Sequence, residues 1–403
     1  MTLFYLVRKN VSHHLSSCVL SIILCSLGIA TLCLILLVST QLNEQLEKKS
    51  RHIDLVVGAK GSPLQLILNS VYHVDNPTGN ISLKEAHQLS KNPFVKMAVP
   101  LAMGDNYQGY RIIGTDSNFL KLYQVTVATG RWFTKDFEIV IGASVARKAG
   151  LQIGDKIISA HGLSSSEDLH ETHPYWVVGI LGDSKNIPDN LLLTKLTSIW
   201  HMHDHMQHEG HAGEEDPLHL IAPSEGEEEI TSLLIQYKNP AAIAAFPQMV
   251  NKKTNLQAAS PAIESSRIFS LLGIGFDSLQ ILSYLLMVMA GGGIFINLLN
   301  NLKNRKYELA IMRTMGASRM KVFMLTIIEG TYITFIGTII GLLLAHLALF
   351  FITIYSNNEM VHPFYFIRQE LLIMLIGCLV GFIAAMVPAM KSYSTQLSET
   401  LAK

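Results

Sequence analysis

Charge is scarce in this chain, and cysteine is scarcer. Only 15% of the 403 residues are Asp, Glu, Lys or Arg, too few for an ordinary soluble protein. The four cysteines, Cys18, Cys25, Cys33 and Cys378, all lie in apolar stretches. No disulfide framework therefore holds the polar part of the chain together. Thirty-one cations balance 31 acids, so the global field that attracts nucleic acid is missing. Phosphate-loop spacing, G-x-x-x-x-G-K-[ST], occurs nowhere. The glycine-bearing stretch Asp54–Gly61 does not supply it. Neither G-x-S-x-G nor H-E-x-x-H is present, which leaves no nucleophile elbow and no zinc-protease helix.

What the chain has in abundance is hydrophobic length. It is 49% hydrophobic, with a mean hydropathy of +0.31, which implies membrane spans combined with a sizeable polar domain. Four long apolar stretches stand out. No Asp, Glu, Lys or Arg occurs from Asn10 to Asn43, from Ser278 to Leu302, from Gly330 to Asn358, or from Leu371 to Met390. The first is too long for a signal-peptide core and is followed by no A-x-A-like site, so it is read as a retained span. Cations gather on one side. Arg8 and Lys9 precede the first span, and Lys303, Arg305, Lys306, Arg313, Arg319 and Lys321 lie between the second and third. Lys391 and Lys403 follow the fourth, whereas the 355–370 connection holds one cation, Arg368. The positive-inside rule then gives a cytoplasmic segment 1–17, a first span 18–41 and an extracytoplasmic domain 42–272. A second span 278–300, a cytoplasmic loop 301–321 and a third span 322–354 follow. The chain closes with an outer loop 355–370, a fourth span 371–390 and a cytoplasmic tail 391–403. The expected fold is an α-helical membrane domain of four transmembrane helices with an inserted mixed α+β extracytoplasmic domain.

The cationic loop carries a pattern of its own. Leu309, Met312 and Met315 recur at helical spacing, with Arg305, Glu308 and Arg313 toward other faces. Gly316 suits a helix stop, and Ala317-Ser318-Arg319 opens the next segment. On composition alone the loop is either a topology determinant or a docking element. The run from Arg305 to Ser318 (RKYELAIMRTMGAS), with Glu329 beyond it, resembles the coupling segment of the MacB/FtsX/LolC-like ABC permeases. That resemblance implies that Arg305, Lys306, Glu308, Arg313, Gly316 and Arg319 face a separate ATPase subunit that hydrolyses the ATP. It also implies a homodimer of the permease in the inner (plasma) membrane, moving its outer domain by mechanotransmission.

Within 42–272, Leu42–Lys49 continues the first span as a polar stalk, and Ile263–Leu272 leads back into the second. Strand-like runs fall at Phe94–Pro100, Tyr110–Gly114, Ile139–Gly142, Trp176–Leu181 and Leu233–Tyr237. Ala143–Lys148 is a short helix, and Leu151–Ile158 a turn followed by a strand. The order of helix, Gly150-Leu151-Gln152-Ile153-Gly154-Asp155, strand and Val177-Val178-Gly179-Ile180 resembles the extracytoplasmic domain of MacB-type permeases. With the spans, the resemblance covers nearly the whole chain.

One tract departs from that pattern. His201, His203, His205, His208, His211 and His219 are followed by acids through Glu229, with no Lys or Arg between. Imidazole and carboxylate are ligands for Zn(II) and similar divalent ions. The density of histidines favours capture of such an ion by a loop over a merely solvated insertion. Alternating histidines would need an extended or loop backbone to converge. A metal-binding periplasmic protein or an outer-membrane partner then joins the expected partners, and no intrinsic cofactor is expected. His161, Asp168, His170, Glu171 and His173 are read as solvated surface. The rival functions are lipoprotein or lipid extraction, peptide export, and an FtsX-like scaffold activating a cell-wall hydrolase. Inside the spans, Glu329 and His346 are ionisable, hence either functional or paired within the helix bundle. Gly291-Gly292-Gly293 and the G-x-x-x-G of Gly337 and Gly341 allow helices to approach closely.

Overall fold

Alternating residues decide the architecture of the inserted part. In Leu55-Val56-Val57, Val56 joins one core cluster, whereas Leu55 and Val57 join another. Leu234 sits between Leu233 and Ile235 in the same way. A period of two is the signature of strands buried on both faces, and those faces must be covered by helices.

The structure is a computed structural model. It describes residues 5, 7, 9, 15–159, 174–209, 228–356 and 362–394, without the side chains of 15–17, 203–209, 306, 356 and 394. Two compact units result: 46–268, and 1–45 joined with 269–403.

In the inserted unit the order begins with β1 (Leu55–Ala59), α2 (Pro63–Ser70), β2 (Ile81–Ser82), α3 (Leu83–Ser90), β3 (Val95–Tyr107) and β4 (Tyr110–Thr115). It continues with α4 (Asn118–Tyr123), β5 (Val127–Gly130), β6 (Glu138–Ile141), α5 (Ala143–Ala149), β7 (Lys156–Ile157) and β8 (Tyr175–Leu181). Then come β9 (Leu192–Lys195), α6 (Leu196–Glu209), β10 (Glu229–Ile230), β11 (Ser232–Tyr237), α7 (Ala242–Lys253) and β12 (Leu256–Ala259). Preceding all of these is α1 (Leu15–Ser50). Among the described residues, one ten-stranded sheet runs β12-β1-β11-β3-β4-β9-β6-β8-β5, with β7 beside β8; β10 and β2 form a separate pair. Most pairings are antiparallel, but β4–β9 and β6–β8 are parallel. On one face, α2 and α4 contribute Leu66, Ile67, Phe119 and Leu122 to a core spanning the sheet. On the other, α7 brings Phe246 and Val250, while α5 and α6 bring Val145, Ile199 and Met202. Each fully buried Val, Leu or Ile contributes about 1.5–3 kcal/mol. Strands expected at 94–100, 110–114, 139–142, 176–181 and 233–237 are all present, as is the helix beginning at Ala143.

The membrane unit holds most of α1, α8 (Pro261–Asn304), α9 (Lys306–Thr314), α10 (Arg319–Ser356) and α11 (Gln369–Ser394). Four of these helices, all but α9, are long and apolar enough to cross a membrane. At 44 residues, α8 runs to roughly 66 Å at 1.5 Å per residue, about twice the hydrocarbon thickness of a bilayer. Its N-terminal turns therefore form part of the inserted unit. So do the last turns of α1, from Leu46 onward.

Small residues let the helices close together. A Cβ on Gly337 would come within 3.0 Å of Cys25 Cβ, and one on Gly341 within 2.7 Å of the Ser26 carbonyl oxygen. The G-x-x-x-G of α10 is thus a contact face against α1. In the glycine triplet of α8, Gly291 lies beside Val380 and Gly293 beside Ser21, while nothing comes within 4 Å of a Cβ on Gly292. A second small-residue face, between α10 and α11, is built from Thr334 and Thr338 against Gly377 and Gly381.

Candidate functional site

The 301–321 connection is a short helix held between two spans. Arg305 breaks α8, and its Nε donates to Glu308 Oε2 at 2.9 Å. Leu309 and Ala310 are buried, and Leu309 packs into a cluster with Ile294, Leu298, Val322 and Leu325. Tyr307, Ile311 and Met315 point outward, with exposures of 61%, 39% and 83%. They follow one another at intervals of four and so form one apolar stripe.

The stop is as expected from Gly316, whose φ is +99°. Gly316 N–H donates to the Arg313 carbonyl at 3.1 Å, and Ala317 N–H to the Met312 carbonyl at 2.9 Å. Those two bonds are the Schellman pattern, in which a left-handed residue satisfies the last carbonyls. Ser318 then caps α10, its Oγ accepting from Lys321 N–H at 3.3 Å. One expectation needs correction. Met315, the cap residue of α9, does not share the inward face of Leu309 and Met312; its N–H closes a last turn on the Ile311 carbonyl and its side chain follows Tyr307 and Ile311 outward. Arg313 is half-buried, and Glu308, Gly316 and Arg319 are exposed. The Lys306 side chain lies outside the described residues.

Glu329 is only 5% exposed. It lines a small cavity with Asn301, Arg305, Leu309 and Thr326 where α8, α9 and α10 meet. A buried carboxylate needs a cation or donors nearby, and Arg305 on the same cavity brings the opposite charge. His346 lies near the other end of α10. Its Nδ1 donates to the Pro363 carbonyl at 2.7 Å, its Nε2 is 3.5 Å from Glu370 Oε2, and its ring packs on Phe366. It pins the 362–370 connection to the helix. The same connection reaches α1, where His362 N–H donates to Gln41 Oε1 and Tyr365 donates to Glu44.

Of the histidine tract, the backbone is described only through Glu209 and again from Glu228. Instead of an extended or looped backbone, 196–209 is helical. Ile199 and Met202, three apart, are buried against the sheet, and Trp200 Nε1 donates to the Glu229 carbonyl. This apolar anchoring at helical spacing carries α6 through His201, His203, His205 and His208. His201 is exposed, with its ring 6.4 Å from that of Phe137. The side chains of His203, His205 and His208, the residues His211 and His219, and the cluster His161, Asp168, His170, Glu171 and His173 lie outside the described residues. Among the described residues, no group of three or more His, Cys, Asp or Glu is placed to hold a metal ion.

The Gly377 and Gly381 face was missed by sequence reasoning, although its G-x-x-x-G spacing repeats the one noticed in α10.

Comparison with known proteins follows the same division of the chain. A model of the MacB-like periplasmic core domain matches residues 18–253, more than half of the chain. A model of the FtsX-like permease C-terminal region matches residues 280–397. Among solved structures, the periplasmic region of MacB from Actinobacillus actinomycetemcomitans aligns at 12% identity and a TM-score of 0.34, covering 55% of this chain and 97% of its own. The extracellular domain of the noncanonic ABC-type transporter YknZ from Gram-positive bacteria aligns at 15% identity and a TM-score of 0.31, covering 52% and 99%. A search of curated protein sequences finds no match. With the two family models together covering most of the inserted domain and of the four membrane-length helices, the chain belongs to the MacB/FtsX-like ABC transporter permeases.

Proposed function

We propose that this chain is the permease subunit that couples ATP hydrolysis on a separate ATPase to movement of its inserted domain, working as a homodimer with two ATPase copies. The observation that carries the reading is the apolar stripe of Tyr307 and Ile311 on α9, continued by its cap residue Met315. A short helix that turns three apolar side chains outward, among cations, between two spans has the chemistry of a docking element. Glu308 and Arg319 flank the stripe and are exposed, and the Schellman stop fixes the angle at which α10 leaves it. Handling of a divalent metal rests on the sequence of the 201–229 tract alone and takes no part in this mechanism.

The test is copurification of the ATPase with Met315→Glu and Arg313→Glu variants of the full chain. Both residues lie outside the buried cluster of α9, so membrane insertion and yield are expected to stay at the wild-type level. Bound ATPase, and its stimulated turnover, is expected to fall at least tenfold. Full ATPase binding in both variants would reduce the segment to a topology determinant.

On this reading both termini and the 301–321 segment face the cytoplasm and the inserted domain faces outward, which the charge asymmetry of the sequence supports. Native Cys18, Cys25 and Cys33 are buried and Cys378 is half-buried, so the new cysteines are introduced with Cys378 replaced by Ser to keep the background low. Ser62→Cys is expected to react with a membrane-impermeant maleimide on intact cells, and Ser318→Cys only after permeabilisation. Labelling of Ser318→Cys on intact cells would overturn the four-span orientation.

A further inference from the structure

The inserted domain connects to the rest of the chain through two legs: the end of α1 from Leu46, and the start of α8 up to Ile268. The first leg turns into β1, with Ile53 N–H on the Ser50 carbonyl at 3.0 Å. The second leaves β12 at Pro261. Val56 of β1 lies opposite Ala259 of β12 in an antiparallel pair, so the legs leave from neighbouring strands. Strand pairing fixes where the legs begin but does not hold the helical turns that run on from the sheet.

One side chain reaches both. The hydroxyl of Tyr72 donates to the Leu46 carbonyl at 3.3 Å and lies 2.6 Å from Ser265 Oγ. A phenol has one proton to give and can also accept. Both bonds form together when Ser265 donates to Tyr72 and Tyr72 donates to Leu46. The Leu46 carbonyl also accepts from Ser50 Oγ at 3.1 Å. Ser265 is buried, and the Tyr72 ring packs against the core that includes Phe119 and Tyr123. Burial raises the Tyr72 pKa above its ordinary value, so the hydroxyl keeps the proton it donates.

The turn that delivers Tyr72 is itself unusual. His73, directly after it, has φ +55°, a conformation that usually goes to Gly or Asn. Both of its ring nitrogens are closed off from solvent with no hydrogen-bond partner. Asn69 Nδ2 and Arg111 Nη2 converge on the Asp75 carbonyl just beyond it, at 2.8 and 3.5 Å. A non-glycine residue held in this region marks a backbone that its surroundings over-determine, and here it fixes the direction of the preceding tyrosine.

We propose that Tyr72 is a positioning residue that clasps the two legs to each other and to the core of the inserted domain, so that they move as one. What the legs transmit rests on the coupling reading above; the clasp does not.

The experiment is hydrogen–deuterium exchange on the full chain in nanodiscs, comparing wild type with Tyr72→Phe and Ser265→Ala. Phenylalanine keeps the ring in the core and removes only the hydroxyl. With both bonds gone, amides of 46–50 and of 264–268 are expected to exchange about fivefold faster, the effect of one net hydrogen bond. Amides of β1 and β11 are expected to stay at the wild-type rate. Ser265→Ala is expected to loosen the second leg and spare the first, and the double variant to match Tyr72→Phe. Unchanged leg exchange in Tyr72→Phe, or a rise spread evenly through the sheet, would overturn the clasp. ATPase stimulation by Tyr72→Phe is measured on the same preparations. Faster leg exchange with full stimulation would leave the clasp in place and remove the legs from the coupling path.

Discussion

Lowering the pH from 6.5 to 4 is expected to cost the inserted domain roughly 3 kcal/mol through His73 alone, at about 1.4 kcal/mol per pH unit. Burial, reinforced by the charge of Arg111, lowers the pKa of His73 to about 3. In the unfolded chain the same imidazole takes up its proton near 6.5. Between those two values only the unfolded state binds the proton, so stability falls as the pH falls through that window and is unaffected by this group above it. The charged group acting on the ring is Arg111 on β4, which itself faces Asp75 two residues after His73, and α2 contributes none. Chemical denaturation of the full chain in detergent, at pH 7 and pH 4, is the measurement. His73→Asn accepts the left-handed backbone and carries no titrating group. Its loss between the two pH values is expected to be smaller than that of the wild type by about the amount above. Equal losses in the two proteins would mean that the imidazole is already solvated in the folded state.

The second large effect lies between α10 and α11. A Cβ at Gly377 would run into Thr338 Oγ1, and one at Gly381 into Thr334 Oγ1 and the Gly330 carbonyl. Thr334 and Thr338 are fully buried, and Thr338 Oγ1 is already bonded to the Thr334 carbonyl at 2.8 Å, so neither side chain has room to retreat. Overpacking of this kind costs about 1–3 kcal/mol per site. The Gly377→Val/Gly381→Val double variant is expected to lose most of its folded yield and to melt well below wild type in detergent. Gly292→Ala, with nothing within 4 Å of the added carbon, is expected to stay within about 0.5 kcal/mol of wild type. Thr338→Ala is expected to recover part of the loss in Gly377→Ala, because it removes the atoms in the way. Equal melting of the double variant and Gly292→Ala would show that the two helices do not rely on this face.

The parts of this molecule that the sequence made legible are those where one local property suffices. Uncharged length marks the four spans, Gly316 marks the end of α9, and short apolar runs rich in Val, Ile and Leu mark the strands around Ile139 and Leu233. What stayed hidden depends on partners far away in the chain. The pairing of β1 with β12 joins residues about 200 positions apart, and nothing in Asp54–Gly61 announces it. The Thr334 and Thr338 face can be recognised only when Gly377 and Gly381 are set opposite. The helical start of the histidine tract was hidden for a different reason. Its composition drew attention to side chains, whereas Ile199 and Met202 governed the backbone. Tyr72 carries no motif, since one phenol among 13 tyrosines gains its place only from the turn at His73.

The pairing of β1 with β12 has a wider consequence. Entry to and exit from the inserted domain are one strand spacing apart, about 5 Å, on adjacent strands at one end of the sheet. The domain is therefore a cassette in the genetic sense. A different module whose two ends lie equally close can be exchanged for it, while the helices on either side keep their own sequence and register. Variation in the inserted domain and variation in the membrane helices are then free to evolve on separate clocks.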